Sequence, residues 1–263
     1  MNCANIALIC CLLGVSTSFV LPTVDLNERA MIVPSAFGSL FWLSLLLPKD
    51  IHRSDKLEYF LIYLSATALG ILMGVFVNSA DRICIYGFFM SYFHFSEFYY
   101  VTRSFGIPNF DAFLINHGKE YAFAFTISMF EYHYMRLSSG FELLYPGIVI
   151  SIIGLFLRAT AMLTAGSGFT HLIARHKSHT HSLVTHGIYA YMRHPGYCGW
   201  FLWVIGSQLI LGNILSLILF TIITWKFFSE RIPYEENLLV DFFGQDYLDY
   251  RSKTPFSGVL FIR

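Results

Sequence analysis

Charge is what this chain has little of. Only 13% of its 263 residues are Asp, Glu, Lys or Arg, where a soluble domain carries about 25%. Acids and bases balance at 17 each, and the net charge is zero. A pI near 7.1 leaves nothing to favour a nucleic-acid partner. The five cysteines (Cys3, Cys10, Cys11, Cys84 and Cys198) contain no C-x-x-C pair, so neither a disulfide framework nor a cysteine metal site is expected. No Asn-x-Ser/Thr acceptor occurs. No basic stretch precedes the first apolar run, which therefore reads as a retained span and not as a cleaved signal.

What the chain has is apolar length. It is 56% hydrophobic, with 27 Phe, 16 Tyr and a mean hydropathy of +0.57. That composition predicts an all-α polytopic integral membrane protein. A span takes about 20 apolar residues. Six candidates occupy residues 1–165: Cys3–Leu21, Ala30–Leu47, Leu57–Val77, Ile83–Val101, Glu120–Leu137 and Leu143–Ala165. The last apolar block, 199–228, is interrupted by Gly212-Asn213, a turn dipeptide, and reads as a helical hairpin of two short spans. The expectation is a single membrane domain over 1–263 with about eight transmembrane helices. Its chemically distinct part is 166–263: a polar loop, the hairpin and an amphipathic tail helix. That tail helix is expected to start afresh near Pro233 and to stop or kink at Gly244.

Lys and Arg give an orientation. With the N-terminus in the cytosol, 13 of the 17 basic residues fall in cytosolic segments. The opposite side keeps Arg29, Arg82 and Arg136, and Arg158 lies within a span. The positive-inside rule then puts both termini and the loop 166–198 on the cytosolic side.

Polar chemistry concentrates near the hairpin. In Arg193-His194-Pro195-Gly196-Tyr197, Pro and Gly force a turn, and His194 and Tyr197 would line what it encloses. Arg231 follows an apolar half-helix, where its planar fork suits a carboxylate or phosphate; Glu235 and Glu236 suit a cationic or hydroxyl-bearing group. Each set reads equally as interfacial aromatics, a snorkelling Arg and a solvated acidic pair. His171, His176, His179, His181 and His186 lack metal-ligand spacing, and a solvated loop accounts for them better. Gly166-Ser-Gly168 follows a helix instead of a strand and reads as a helix-ending loop. Within the spans, His94, Glu97, Glu131, His133 and Arg158 are costly in lipid, and read as cross-helix pairs or cavity lining.

The strip HSLVTHGIYAYMRHPGYCGW followed by RIPYEENLLVDFFGQDYLDYRSKTPF closely resembles the isoprenylcysteine carboxyl methyltransferases. Taken singly, these motifs also resemble phospholipid N-methyltransferases and membrane NADPH-dependent sterol reductases. A transporter is a further reading, motivated by Glu97, Glu131 and Arg158, but only one apolar block is broken. The main resemblance implies an endoplasmic-reticulum enzyme with a cytosolic active site. It implies methyl transfer from S-adenosylmethionine to the C-terminal carboxylate of prenylated cysteine, leaving S-adenosylhomocysteine. The substrates it implies are processed CaaX proteins such as Ras-type GTPases, met at membrane lipid. It implies cofactor contacts at His181, Ser182, Leu183, Val184, Tyr189, His194, Tyr197 and Glu235, a substrate-carboxylate role for Arg231, and a catalytic role for Glu236. Ile232-Pro233-Tyr234 stand where relatives have a more acidic run, so Glu235 and Glu236 both stay candidates for facing the ligand.

Overall fold

The computed structural model describes residues 3–18, 62, 64–66, 68–71, 73, 81–105, 110–115, 119–135, 143–177 and 182–262. The expected span Ala30–Leu47 lies outside the described residues, as does most of Leu57–Val77; the described residues within 62–73 are helical. Seven helices are otherwise described: α1 (Cys3–Ser18), α2 (Arg82–Phe105), α3 (Lys119–Phe130), α4 (Leu144–Ala165), α5 (Pro195–Leu211), α6 (Ile214–Phe243) and α7 (Gln245–Lys253). A π-helical turn at Glu131–Met135 continues α3. Among the described residues there is no strand. The segment Leu144–Gly168, with mean hydropathy 2.0, is the one described helix long and apolar enough to cross a bilayer by itself.

Small residues set the closest packing. A Cβ added at Gly199 would lie 2.5 Å from the Gly154 carbonyl oxygen, and one at Gly147 would lie 2.6 Å from the Ile210 amide. α4 and α5 therefore run antiparallel with their backbones in near contact. Such a seam suits helices that gain nothing from burying apolar surface away from lipid and must associate by fit. α2 closes on this pair through Phe93, which stacks on Trp203 at 3.9 Å between ring centroids.

The hairpin break at Gly212-Asn213 is present and specifically held. Gly212 takes the left-handed conformation (φ 76°) and ends α5. Asn213 Nδ2 donates to the Ser128 carbonyl at 2.8 Å, and Ser128 Oγ donates to Gln208 Oε1 at 2.8 Å. Glu131 accepts the Leu215 and Ser216 amides at 2.8 and 2.7 Å. A carboxylate thus caps the positive end of α6, which gives the buried Glu131 a structural pairing.

The expected fresh start near Pro233 does not occur: α6 continues through it to Phe243. Phe228, Ile232 and Glu236, four residues apart, form one buried stripe across the position. Phe228 and Ile232 pack there against Val259 and Ile262 of the C-terminal segment. Pro233 itself faces outward, where a carbonyl that loses its partner can turn to solvent. Tertiary packing outweighs the local penalty. α6 ends at Gly244 (φ +56°), and α7 follows directly.

Candidate active site

One end of the bundle gathers the C-termini of α2 and α4, the start of α5 and the polar half of α6, from Ser229 onward. The Arg193–Tyr197 turn lies at its centre. Pro195 opens α5 at the first helical turn, where its missing amide costs nothing. The C-terminal segment crosses this turn as a strap: the Arg193 amide donates to the Phe256 carbonyl at 3.1 Å, and the His194 amide donates to the Ser257 carbonyl at 2.7 Å. Gly258 (φ +115°) permits the crossing, since a Cβ there would stand 2.9 Å from the His194 carbonyl oxygen.

Arg231, on α6, donates from Nε to the Tyr197 hydroxyl at 2.8 Å and from Nη2 to the His171 carbonyl at 2.9 Å. Its guanidinium also lies over the rings of Tyr197 and Phe227, 5.4 and 5.5 Å from their centroids. Nη1 has no hydrogen-bond partner among the described residues. The Tyr197 hydroxyl donates onward to Glu235 Oε2 at 2.5 Å. The His194 ring stacks on Tyr197, with centroids 5.4 Å apart and planes at 7°.

The two glutamates divide. Glu235 is partly open, with 26% of its side chain exposed, and meets Tyr197. Glu236 is 3% exposed and engaged on both oxygens. Its Oε1 accepts from Arg193 Nε at 2.7 Å and lies 3.2 Å from His194 Nε2; Arg251 approaches Oε2 at 3.6 Å. Burial pushes the Glu236 carboxyl upward, but the hydrogen bonds from His194 and Arg193, with their charge, hold it below the ordinary glutamate range. Arg193, to which the sequence reading gave no role within its motif, also donates from Nη1 to the carbonyls of Thr254 and Pro255 at 2.7 and 2.6 Å. It fastens turn, helix and strap together.

The loop residues stand beside this cluster. His181 lies outside the described residues. Ser182 is exposed, Leu183 and Val184 are half-buried, and Val184 faces Gly168. Leu183 also lines an open cavity of about 610 Å³ with Ala190, Asp246, Asp249 and Tyr250. Tyr189 is held through its carbonyl, which accepts from the Tyr250 hydroxyl at 2.7 Å. Burial, then the charge of Glu235, pushes the Tyr189 hydroxyl up.

Two features were not legible as site elements. His171 does lie in an irregular loop, but its side chain is paired there instead of solvated: its Nε2 is 2.8 Å from Glu97 Oε2, and its carbonyl meets Arg231. Arg158 binds Glu97 through two nitrogens, one at 2.8 Å, and reaches the Gly196 carbonyl at 2.9 Å. Ionisable residues within apolar spans were the only signal for that pairing.

Residues 147–241 match the model of the isoprenylcysteine carboxyl methyltransferase (ICMT) family. The chain is 40% identical to the protein-S-isoprenylcysteine O-methyltransferase of Schizosaccharomyces pombe, over 75% of this chain and 93% of that one. It is 41% identical to that of Tribolium castaneum, over 77% and 76% respectively. The solved structure of the eukaryotic intramembrane Ras methyltransferase ICMT aligns with 100% of this chain and 99% of its own, at 32% identity and a TM-score of 0.79. The chain therefore has an integral-membrane ICMT fold, and it belongs to the isoprenylcysteine carboxyl methyltransferase family.

Proposed function

We propose that this enzyme methylates the C-terminal carboxylate of prenylated cysteine, with S-adenosylmethionine as donor and Arg231 as the residue that orients the carboxylate. The observation carrying the role of Arg231 is its geometry: two of its nitrogens are fixed by Tyr197 and His171, and Nη1 is left over beside them.

The acceptor needs no activation. A terminal carboxylate, with an ordinary pKa of about 3.5, is ionised at neutral pH. The chain's task is to hold oxygen and methyl carbon in line, and orientation of this kind contributes about 7 to 11 kcal/mol in favourable systems. A guanidinium braced by a phenol and a carbonyl presents its remaining N–H groups in a fixed direction.

The donor set fits the cofactor. Glu235, with the Tyr197 and Tyr189 rings, offers a carboxylate and aromatic faces, the groups that receive sulfonium and ammonium charge. The buried Tyr247 hydroxyl, on α7, has no hydrogen-bond partner among the described residues. When bound, S-adenosylmethionine supplies an electrophilic methyl group and departs as S-adenosylhomocysteine. Glu235, Tyr197, Tyr189, Leu183 and Val184 would hold it, with the exposed Ser182 beside them; His181 is kept as a cofactor contact on the family resemblance alone. Glu236 we assign to positioning His194 and Arg193, because it is buried and its Oε1 is taken by both.

The setting we propose is the endoplasmic-reticulum membrane, with about eight spans and with this end of the bundle and both termini toward the cytosol. There a lipid-like prenyl chain and a soluble cofactor can meet. The protein substrates are processed CaaX proteins of the Ras type. The test is transfer of labelled methyl from S-adenosylmethionine to N-acetyl-S-farnesylcysteine in purified membranes. Label appearing in phosphatidylethanolamine instead, or no transfer, overturns the reading.

A further inference from the structure

We infer that His171 is a positioning residue for Arg231: Glu97 holds its imidazole so that its main-chain carbonyl braces the guanidinium for the substrate carboxylate. The inference rests on the proposed role of Arg231 and deepens it.

Glu97, on α2, is buried to 1% of its side chain and receives three donors. Two come from Arg158 on α4, and the third is His171 Nε2. The remaining Arg158 nitrogen, Nη1, goes to the Gly196 carbonyl, next to Tyr197. Arg231 itself has two partners, the Tyr197 hydroxyl and the His171 carbonyl. Glu97 therefore fixes the surroundings of both: the His171 main chain through its imidazole, and the turn bearing Tyr197 through Arg158. Residues 169–177, which carry His171, have no regular structure of their own, so the imidazole's bond to Glu97 is a direct restraint on where its carbonyl points. Phe169 packs edge-on to His171 at 5.9 Å and limits the ring's rotation. A satisfied buried network of this kind is stiff, because any movement of one member leaves another unpaired in a low dielectric.

The experiment measures binding of N-acetyl-S-farnesylcysteine and of its C-terminal carboxamide to the full chain in lipid nanodiscs with S-adenosylhomocysteine, by calorimetry. The carboxamide has the same prenyl chain and lacks the charge that Arg231 would meet. In His171→Ala, affinity for the acid should fall about tenfold, the scale of one charge-assisted hydrogen bond, while affinity for the carboxamide holds within about twofold. His171→Gln, which keeps an N–H donor within reach of Glu97, should restore most of the preference. Adding His171→Ala to Arg231→Ala should cost nothing further, since one acts through the other. Equal losses for acid and carboxamide, an additive double variant, or an unchanged His171→Ala overturns the inference. Should the alanine variant fold poorly, His171→Asn, too short to reach Glu97, serves the same comparison. Acid preference surviving Arg231→Ala would instead overturn the assignment of Arg231.

Discussion

Arg231 donates to the Tyr197 hydroxyl at 2.8 Å, and that hydroxyl in turn donates to Glu235. One phenol thus separates the cation proposed to hold the substrate's carboxylate from the carboxylate proposed to hold the cofactor's charge. Direct pairing of Arg231 with Glu235 would neutralise both; the interposed tyrosine keeps each available.

Replacing Arg231 with Ala should lower kcat/KM about a hundredfold, the scale of lost hydrogen bonds to a charged acceptor. Calorimetric affinity for S-adenosylhomocysteine should change little. Arg231→Lys should recover only part of the loss, because an ammonium cannot reproduce a fork that bonds Tyr197 and His171 at once. Full turnover by the alanine variant would remove Arg231 from the mechanism.

Tyr197→Phe keeps the stacked ring but deletes the hydroxyl between Arg231 and Glu235. The two charged groups are then free to pair with each other. Both cofactor affinity and substrate KM should worsen, each by about tenfold. A change in only one of the two would show that the hydroxyl serves a single ligand.

The Glu236 carboxyl is held below its ordinary range, so it binds protons less readily in the folded chain than in the unfolded one. Its contribution to stability is therefore complete above the ordinary glutamate value of about 4.3 and is lost as pH falls below it. Limited proteolysis should cut the 254–262 strap faster at pH 4 than at pH 7. In Glu236→Gln that pH step should shrink, and the strap should be more accessible already at pH 7.

Gly199→Leu should prevent folding. Its Cβ would meet the Gly154 carbonyl at 2.5 Å and the Arg158 amide at 2.7 Å, both backbone atoms that cannot yield. Separating α4 from α5 would cost about 3 kcal/mol or more. A monodisperse peak in detergent size-exclusion chromatography at wild-type yield would contradict the seam. Gly258→Ala is a milder case: strain at φ +115° and contact with His194 should loosen the strap and weaken cofactor binding while the membrane helices persist.

The hairpin and the turn were legible because their signals are local. Gly212-Asn213 interrupts an apolar run, and Pro195-Gly196 follows Arg193-His194 directly. The helix boundaries of α4 and the end of α6 at Gly244 also follow from neighbouring residues. Pro233 misled for the same reason: a local rule predicts a break, and the stripe that overrides it packs on Val259 and Ile262, far along the chain.

Composition by itself determined that this is a helical membrane chain, and the order of its motifs carried the resemblance to one methyltransferase family. Folding decided what each polar residue does. Glu235 faces Tyr197 while Glu236 is enclosed by Arg193, although they are adjacent in the chain and alike in type. Glu97, Arg158 and His171 converge from separations of 61 and 74 residues. Adjacent residues on a helix point about 100° apart, and which of those directions meets a partner depends on how distant segments pack, which no local pattern encodes.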